Sequence, residues 1–320
     1  MAKKVKVVLL NWNSGEMTAE CIRSLLAMDA GNFDILVVDN GSKDGSPEFL
    51  RKTFPQITVV ENGRNLGFAA GCNVGMKLAL AEGAEYVLLV NNDTIVDRSM
   101  LRELVAEAEQ SPRAAIVSPR IYYFDFPDRI WWVGGVYNKW VGIPKHIDLR
   151  KKFSPKHENA CDTDWATGCV MLIRCDALRE AGLFDEVFFA YSEDADLSLR
   201  MREAGYKIRY APRAKLWHKE GVTSRKNTGE HTRLFMGARN ILWLMHKHAK
   251  PLQWVTFWPC FMVRYVGILG FRSIKAGDFR SAWALFRGIL AFWQMRRDSS
   301  AAVPVDVALG RQRRPGTAGE

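Results

Sequence analysis

No CxxC pair occurs among the six cysteines (Cys21, Cys72, Cys161, Cys169, Cys175 and Cys260), and several of them fall inside apolar runs. That pattern favours reduced, buried thiols over a disulfide framework. GxGxxG and GK[ST] are both absent, which counts against a nicotinamide dehydrogenase or a P-loop kinase. No secretory leader is legible at the start. Lys3-Lys4 is followed by only the short apolar run Val5–Leu10, which Asn11-Trp12-Asn13 ends, so the expected location is cytoplasmic. No internal repeat is evident.

What is present is ordinary in bulk and uneven in distribution. With 320 residues, 48% hydrophobic and 25% charged, the chain has room for one large α/β domain plus an extension. The net charge is +10. From Gly221 to Arg297 there are 13 Lys and Arg against two acids, Glu230 and Asp278. The basicity therefore belongs to the C-terminal extension and suggests an anionic surface as partner, either membrane phosphates or nucleic acid.

Strand-length apolar runs alternate with amphipathic segments through the first 120 residues. Val5–Leu10, Phe33–Val38, Ile57–Val60, Tyr86–Val90 and Ala114–Ser118 read as strands. Glu16–Met28, Ser46–Thr53, Gly67–Ala81 and Ser99–Gln110 read as helices, with Ser46 and Ser99 as expected caps. The alternation predicts a mainly parallel sheet covered by helices. Loops and short strands are expected from Arg120 to Asp164. A strand Cys169–Arg174, a helix Asp176–Ala181, a helix Glu193–Ala204 capped by Ser192 and a strand Lys207–Tyr210 follow. The expected divisions are 1–220 (halves 1–118 and 119–220), a helical basic and aromatic extension over 221–298, and a disordered tail over 299–320.

Two acidic features carry the chemistry. Tyr86-Val-Leu-Leu-Val-Asn-Asn-Asp93 is a buried strand delivering a carboxylate to the sheet rim, where open α/β sheets bind ligands. A hard divalent ion accepts a few protein oxygens there and takes the rest from phosphate and water; a polar turn explains Asn91-Asn92-Asp93 equally well. Ser192-Glu193-Asp194-Ala195-Asp196 opens a helix. Its acids suit the positive dipole end, and a base among them needs desolvation, which Phe184, Phe188, Phe189 and Tyr191 could supply. Asp39-Asn40-Gly41-Ser42 ends a strand in good turn chemistry, and its carboxylate could also hold a nucleobase or ribose. Gly67, Gly71 and Gly75 share one helical face, which implies a body close to the backbone, either a strand or a nucleotide; Asn65 is the expected cap. His218, after Trp217, is more often structural than a ligand, yet a second ligand is what Asp93 lacks.

The ordered set Asn11-Trp-Asn13, Asp39-Asn-Gly-Ser42, Asn65-x-Gly67-Phe-Ala-Ala-Gly-x-Asn73, Asn91-Asn92-Asp93, Thr167-Gly168, Glu193-Asp194-Ala-Asp-Leu197 and Trp217-His218 resembles the inverting glycosyltransferases of family 2, with the GT-A fold, and most closely their bacterial rhamnosyltransferase-like members. The resemblance spans about residues 5–250. It implies that Asp39, with Asn11, Asn13, Asn40, Ser42, Asn65, Gly67, Asn73, Asn92, Thr167 and Gly168, binds the nucleotide sugar. It implies a Mg²⁺ or Mn²⁺ ion on Asp93 and His218, with Asp194 of the Glu193–Asp194 pair as general base. Amides at Asn91 and Asn92 depart from the acidic form of the metal motif. QxxRW and multiple spans, usual in the processive synthases of this family, are missing, which implies one sugar per encounter.

The stretch Pro251–Phe271 approaches a membrane span in length but carries Pro259 and Arg264 in its middle. Phe279–Arg297 alternates Trp, Phe and Leu with Arg, the pattern of an interfacial helix. The combined expectation is transfer of one sugar, L-rhamnose from dTDP-rhamnose as the leading donor, to a lipid-linked or cell-surface glycan. The enzyme would be peripheral on the inner face of the plasma membrane and would bind no nucleic acid. The alternatives are a UDP-hexose donor or a sugar-nucleotide pyrophosphorylase.

Overall fold

A computed structural model describes residues 3–219 and 229–297. The chain divides into two compact units, Met1–Tyr137 with Pro144–Thr223, and Asn138–Ile143 with Ser224–Glu320. The expected disordered tail lies outside the described residues.

The first unit is built on a mixed sheet. β1 (Val5–Asn11), β2 (Phe33–Asp39), β3 (Thr58–Glu61), β4 (Tyr86–Asn91), β5 (Thr94–Val96), β6 (Ala114–Tyr123), β10 (Cys161–Thr163), β11 (Val170–Arg174) and β12 (Lys207–His218) alternate with helices α1 (Gly15–Leu26), α2 (Ser46–Thr53), α3 (Phe68–Ala81), α4 (Met100–Gln110), α5 (Cys175–Ala181) and α6 (Glu193–Glu203), and the short strands β7 (Ile130–Trp132), β8 (Gly135–Asn138) and β9 (Ile143–His146) fall between β6 and β10 in the chain. The order across the sheet is β10-β12-β6-β11-β4-β1-β2-β3. β1, β2, β3 and β4 are mutually parallel, whereas β11 runs antiparallel to both β4 and β6. Residues Val7, Val8, Leu9, Val37, Val38, Leu88 and Leu89 are shielded from water on both faces, as a helix-covered parallel sheet requires. After β3 the chain returns to the other side of β1 to form β4. The crevice at this reversal is flanked by the carboxyl ends Asn11, Asp39 and Asn91, brought level by the pairings Asn11↔Asp39 and Leu10↔Asn91. Switch points of this sort are where open sheets hold their ligands.

Several boundaries differ from expectation. β12 continues from Tyr210 to His218 beside β6, which itself continues past Ser118 to Tyr123. The register shifts between Ala211 and Lys215, across Pro212, so the proline is absorbed at a bulge instead of ending the strand. This extension carries His218 to the Asp93 end, where it pairs with Thr94 of β5. The expected serine caps are corrected as well. Ser46 is the first residue of α2 behind Gly45, and its hydroxyl bonds Asp44. Ser99 precedes α4, but its hydroxyl donates to Asp97 at 2.6 Å; nor does the Ser192 side chain cap α6. In the first two cases an aspartate two residues upstream captures both the serine N–H and its hydroxyl. At α3 the preceding residue is Gly67, whose N–H bonds Asn65 Oδ1 at 2.8 Å.

The second unit holds helices Glu230–His248 and Phe279–Arg297, and a continuous helical rod Gln253–Lys275. Gly288 lies against the backbone of Phe235 and Arg239, so the first two helices cross in close contact. Trp258 and Trp293 stack with ring planes 3° apart. The rod is 23 residues long, and its most apolar 18-residue stretch has a mean hydropathy of 1.3 with 17% of that stretch buried, so by length and composition it is apolar enough to cross a membrane.

The glycine face of α3 also has an answer. A Cβ at Gly71 would collide with Leu10, and one at Gly75 with Val8, so the close body at these two positions is strand β1. Gly75→Ala is expected to destabilise the fold by about 1–3 kcal/mol through overpacking, outweighing the helix-propensity gain of about 1 kcal/mol. Urea denaturation checks this; an unchanged or raised midpoint would contradict the packing account.

Candidate active site

Polar groups at the sheet's carboxyl edge form one connected network. Asp39, 1% exposed, accepts Gly41 N–H at 3.1 Å and Ser42 N–H at 2.9 Å on Oδ1. Its Oδ2 accepts the Ser42 hydroxyl at 2.6 Å and Asn11 Nδ2 at 2.7 Å. All four lone-pair positions of the carboxylate are thereby used, so contact with a base or ribose requires one bond to be exchanged. Asn13 Oδ1 accepts Lys43 N–H at 2.7 Å, with Asn13 in left-handed conformation. Asn40 donates to Asn65 Oδ1 and the Gly67 carbonyl, and accepts from Asn62 and Leu66 N–H, thus pinning the 62–67 loop. Asn73 braces a different loop, bonding both backbone groups of Phe184 and also Glu186.

Asp93 and His218 meet at the neighbouring strand end. Asp93 Oδ1 lies 3.2 Å from His218 Nε2. The contact lacks hydrogen-bond geometry, and Asp93 Oδ1 and His218 Nδ1 are both buried without a hydrogen-bond partner. Orphaned buried polar atoms are costly. A carboxylate oxygen and an imidazole nitrogen converging in this way are the donor set a small divalent cation would satisfy. No group of three or more His, Cys, Asp or Glu is placed to hold a metal among the described residues, so such an ion would take its other ligands from phosphate and water. Asn92 is turned inward and donates to the Thr18 hydroxyl at 2.8 Å.

Glu193 and Asp194 occupy the first turn of α6, preceded by an unusual loop. Phe189, Tyr191 and Ser192 all have positive φ, at 62°, 71° and 76°. Non-glycine residues rarely adopt this region, and clusters of them store strain at functional sites. The loop is held against the start of α3: Ala69 N–H donates to the Phe189 carbonyl at 3.1 Å, and a Cβ on Gly67 would strike the Phe189 ring. Gly67 is thus glycine both for its φ of +87° and for this contact.

Asp194 is half-buried. Oδ2 accepts Gly168 N–H and Oδ1 accepts Ala195 N–H, each at 2.8 Å. Burial raises its pKa above the ordinary aspartate value, partly offset by those two N–H groups and by His146. Glu193 is 5% exposed with Oε2 unpartnered, and burial, reinforced by the Asp194 and Asp196 charges, lifts it well above the usual carboxylate range. The environments split the pair: Glu193 is the better proton holder, while Asp194, with two donors, is the better anion. Asp196, fully buried, pairs with Arg200 at 2.9 Å and belongs to the scaffold.

The segment Thr167–Cys169 joins the two acidic centres. Gly168 N–H binds Asp194, while the Cys169 carbonyl accepts Asn91 N–H at 2.8 Å, two residues from Asp93. The Cys169 thiol feels both carboxylates. All six cysteines are free, four of them buried. Sequence reasoning missed Thr18, which lies outside the recognisable motifs. It also missed the aromatic wall on the other side of the site. The Trp131 ring meets His218 edge-on at 4.5 Å and His146 at 4.9 Å, and Trp165 meets His146 at 5.3 Å. Their only sequence signal was the aromatic richness of residues 120–165.

The sequence profile of Glycosyl transferase family 2 matches residues 6–182, more than half of the chain. The chain belongs to that family. It is a glycosyltransferase with the GT-A fold. It is 25% identical to the Mycobacterium tuberculosis N-acetylglucosaminyl-diphospho-decaprenol L-rhamnosyltransferase, over 79% of this chain and 89% of the relative. A low-salt glycan biosynthesis hexosyltransferase from Haloferax volcanii is 26% identical, over 65% and 64%. Among solved structures, a mannosyltransferase from Pyrobaculum calidifontis in complex with GDP-Man and Mn²⁺ superposes with a TM-score of 0.56 at 17% identity, covering 97% of this chain and 79% of that one. S. aureus TarS 1–349 with UDP-GlcNAc gives 0.53 at 14%, covering 91% and 92%.

The split between the two carboxylates has a stability consequence. Because the folded-state pKa of Glu193 is raised, the stability contributed by its neutral form is complete below the unfolded-state value. It is lost as pH climbs through the folded value. Glu193→Gln, which cannot ionise, should therefore gain in melting temperature relative to the parent as pH rises from about 5 to about 8. A constant or narrowing gap in a pH series of thermal melts would refute this.

Proposed function

We propose that this glycosyltransferase moves one sugar, with inversion, from a nucleotide-sugar donor to a hydroxyl of a lipid-linked or cell-surface glycan. The observation that carries the reading is Asp194. It is half-buried, fixed by two backbone N–H groups, raised in pKa by burial, and linked through Thr167–Cys169 to the Asp93–His218 pair at the switch-point crevice. Inversion needs a base at the acceptor hydroxyl and charge stabilisation at the departing diphosphate, with no covalent intermediate. Asp194 is the base and takes the acceptor proton. Asp93 and His218 hold a divalent cation, Mg²⁺ or Mn²⁺, whose charge offsets that of the leaving diphosphate when it is bound. The Asp39 loop, with Asn11, Asn13, Asn40, Ser42 and Asn65, shapes the nucleotide end, and Gly67 and Asn73 hold the α3 side in place. The Trp131 and His146 rings line the acceptor side.

dTDP-rhamnose is the leading donor, supported by the mycobacterial rhamnosyltransferase relative; a UDP-hexose is the alternative. The pyrophosphorylase reading gives way to family membership. The second unit is the part we assign to the membrane, on the cytoplasmic face. Val263, Phe271, Ile274, Phe279 and Trp283 are exposed, interleaved with Arg264, Arg272, Lys275 and Arg280. Apolar rings enter the interface while each basic side chain gains about 1 kcal/mol from anionic lipid.

Asp194→Asn should lower kcat by about 10²–10⁴-fold and leave the donor KM within about twofold. In the parent, the rate should rise with pH through an ionisation above the ordinary aspartate range. The assay is nucleoside diphosphate release from a panel of sugar nucleotides, with Mn²⁺, Mg²⁺ or EDTA and a lipid-linked glycan extract; undiminished turnover by the variant would sink the base assignment. For the second unit, the double variant Arg272→Glu with Arg280→Glu should co-sediment with phosphatidylglycerol-containing vesicles at least about tenfold less well than the parent. Equal recovery of the folded variant would remove the membrane role.

A further inference from the structure

Hydrogen-bond polarity singles out one residue that no motif contains. Thr18, on α1, is fully buried between two motif residues. Its hydroxyl lies 2.6 Å from Asn11 Oδ1 and 2.8 Å from Asn92 Nδ2. The direction of every proton in this chain follows from Asp39. That carboxylate already accepts two backbone N–H groups and a hydroxyl, so the Asn11 group facing it at 2.7 Å must be the NH₂. The Asn11 oxygen then faces Thr18, and Thr18 must donate its single proton there. Only a lone pair is left for Asn92, so Asn92 must present its NH₂ inward. Its carbonyl oxygen is the end left over, and it accepts no hydrogen bond from any described residue.

We infer that Thr18 is a positioning residue of the transfer reaction: it locks the Asn92 amide with the carbonyl oxygen free as an acceptor for the donor substrate, and ties that acceptor to the Asp39 loop. The inference rests on the nucleotide-sugar reading of the crevice. The group Asn92 receives is a hydrogen-bond donor, or the cation beside Asp93. A ribose hydroxyl and a hydrated divalent cation share that chemistry. The relay also accounts for an amide in place of a carboxylate at position 92. An aspartate there would set a second acceptor against the Thr18 oxygen, whose proton is committed to Asn11.

The test is calorimetric titration of the full chain with UDP and with dTDP, each with Mn²⁺ and in EDTA. Thr18→Val, of similar volume but without either bond, should raise Kd at least about tenfold. Thr18→Ser, which keeps the hydroxyl, should stay within about threefold of the parent. Asn92→Asp, although more acidic, should bind more weakly than the parent. A loss in Thr18→Val that persists in EDTA identifies the nucleotide's hydroxyl as the Asn92 ligand, whereas a loss seen only with Mn²⁺ identifies the cation. The inference is overturned if folded Thr18→Val binds like the parent, if Thr18→Ser is as weak as Thr18→Val, or if Asn92→Asp binds more tightly. A parent protein that binds neither nucleotide would instead remove the nucleotide-sugar reading itself.

Discussion

A buried carboxylate, Asp39, at the carboxyl edge of the sheet sets the conditions for most of the first unit. An ionised group out of water must be fully hydrogen-bonded, and the chain meets that demand with the 41–42 turn, the Ser42 hydroxyl and Asn11. Satisfying Asn11 in turn engages Thr18, and satisfying Thr18 engages Asn92. The ends of β1, β2 and β4 are thereby held in register by side chains as well as by the ladder. The adjoining Asn40 performs the same service for the loop that leads into α3. One desolvated charge thus makes a rigid rim beside the switch point, and a rigid rim is what a precise reaction needs.

Against this satisfied region stands a second one where satisfaction is withheld. Asp93 Oδ1, His218 Nδ1 and Glu193 Oε2 are all buried without hydrogen bonds, and the loop entering α6 carries three positive-φ residues in four. Polar orphans and backbone strain collected in one region are tolerated where a ligand compensates them. The glycines in and just before α3 serve both regions. Gly71 and Gly75 bring the helix down onto β1, while Gly67 admits the Phe189 ring that holds the strained loop.

The second unit follows another logic. Its helices make aromatic contacts, such as the buried Phe257 on Phe261 and the partly exposed Trp258 on Trp293, and much of its remaining apolar surface faces outward beside basic side chains. Exposed apolar side chains, where they adjoin, are costly in water unless something covers them.

Period and punctuation in the sequence were enough to locate the parallel strands, since a run such as Val5–Leu10 bounded by Asn and Trp has few other ways to be buried. The acidic motifs were legible for the same local reason, each standing at the end of an element. His218 as the partner of Asp93 was raised by the want of a second ligand and implied by the family resemblance, not read from spacing, because a histidine 125 positions downstream carries no local signal of proximity. Its placement depends on β12 running on through a bulge at Pro212 beside β6. Thr18 was illegible, and the Trp131–His146 wall showed only as aromatic richness. A threonine on an amphipathic helix looks like any other, and the meeting of Trp131 with His146 depends on the chain reversal between them. The split between Glu193 and Asp194 likewise came from the fold, since adjacent carboxylates differ only in what surrounds them. Local residue chemistry, then, determined which elements form and which groups are reactive. The three-dimensional arrangement decided which of those groups are desolvated, satisfied or left waiting, because burial and hydrogen-bond partnership depend on residues distant in the chain.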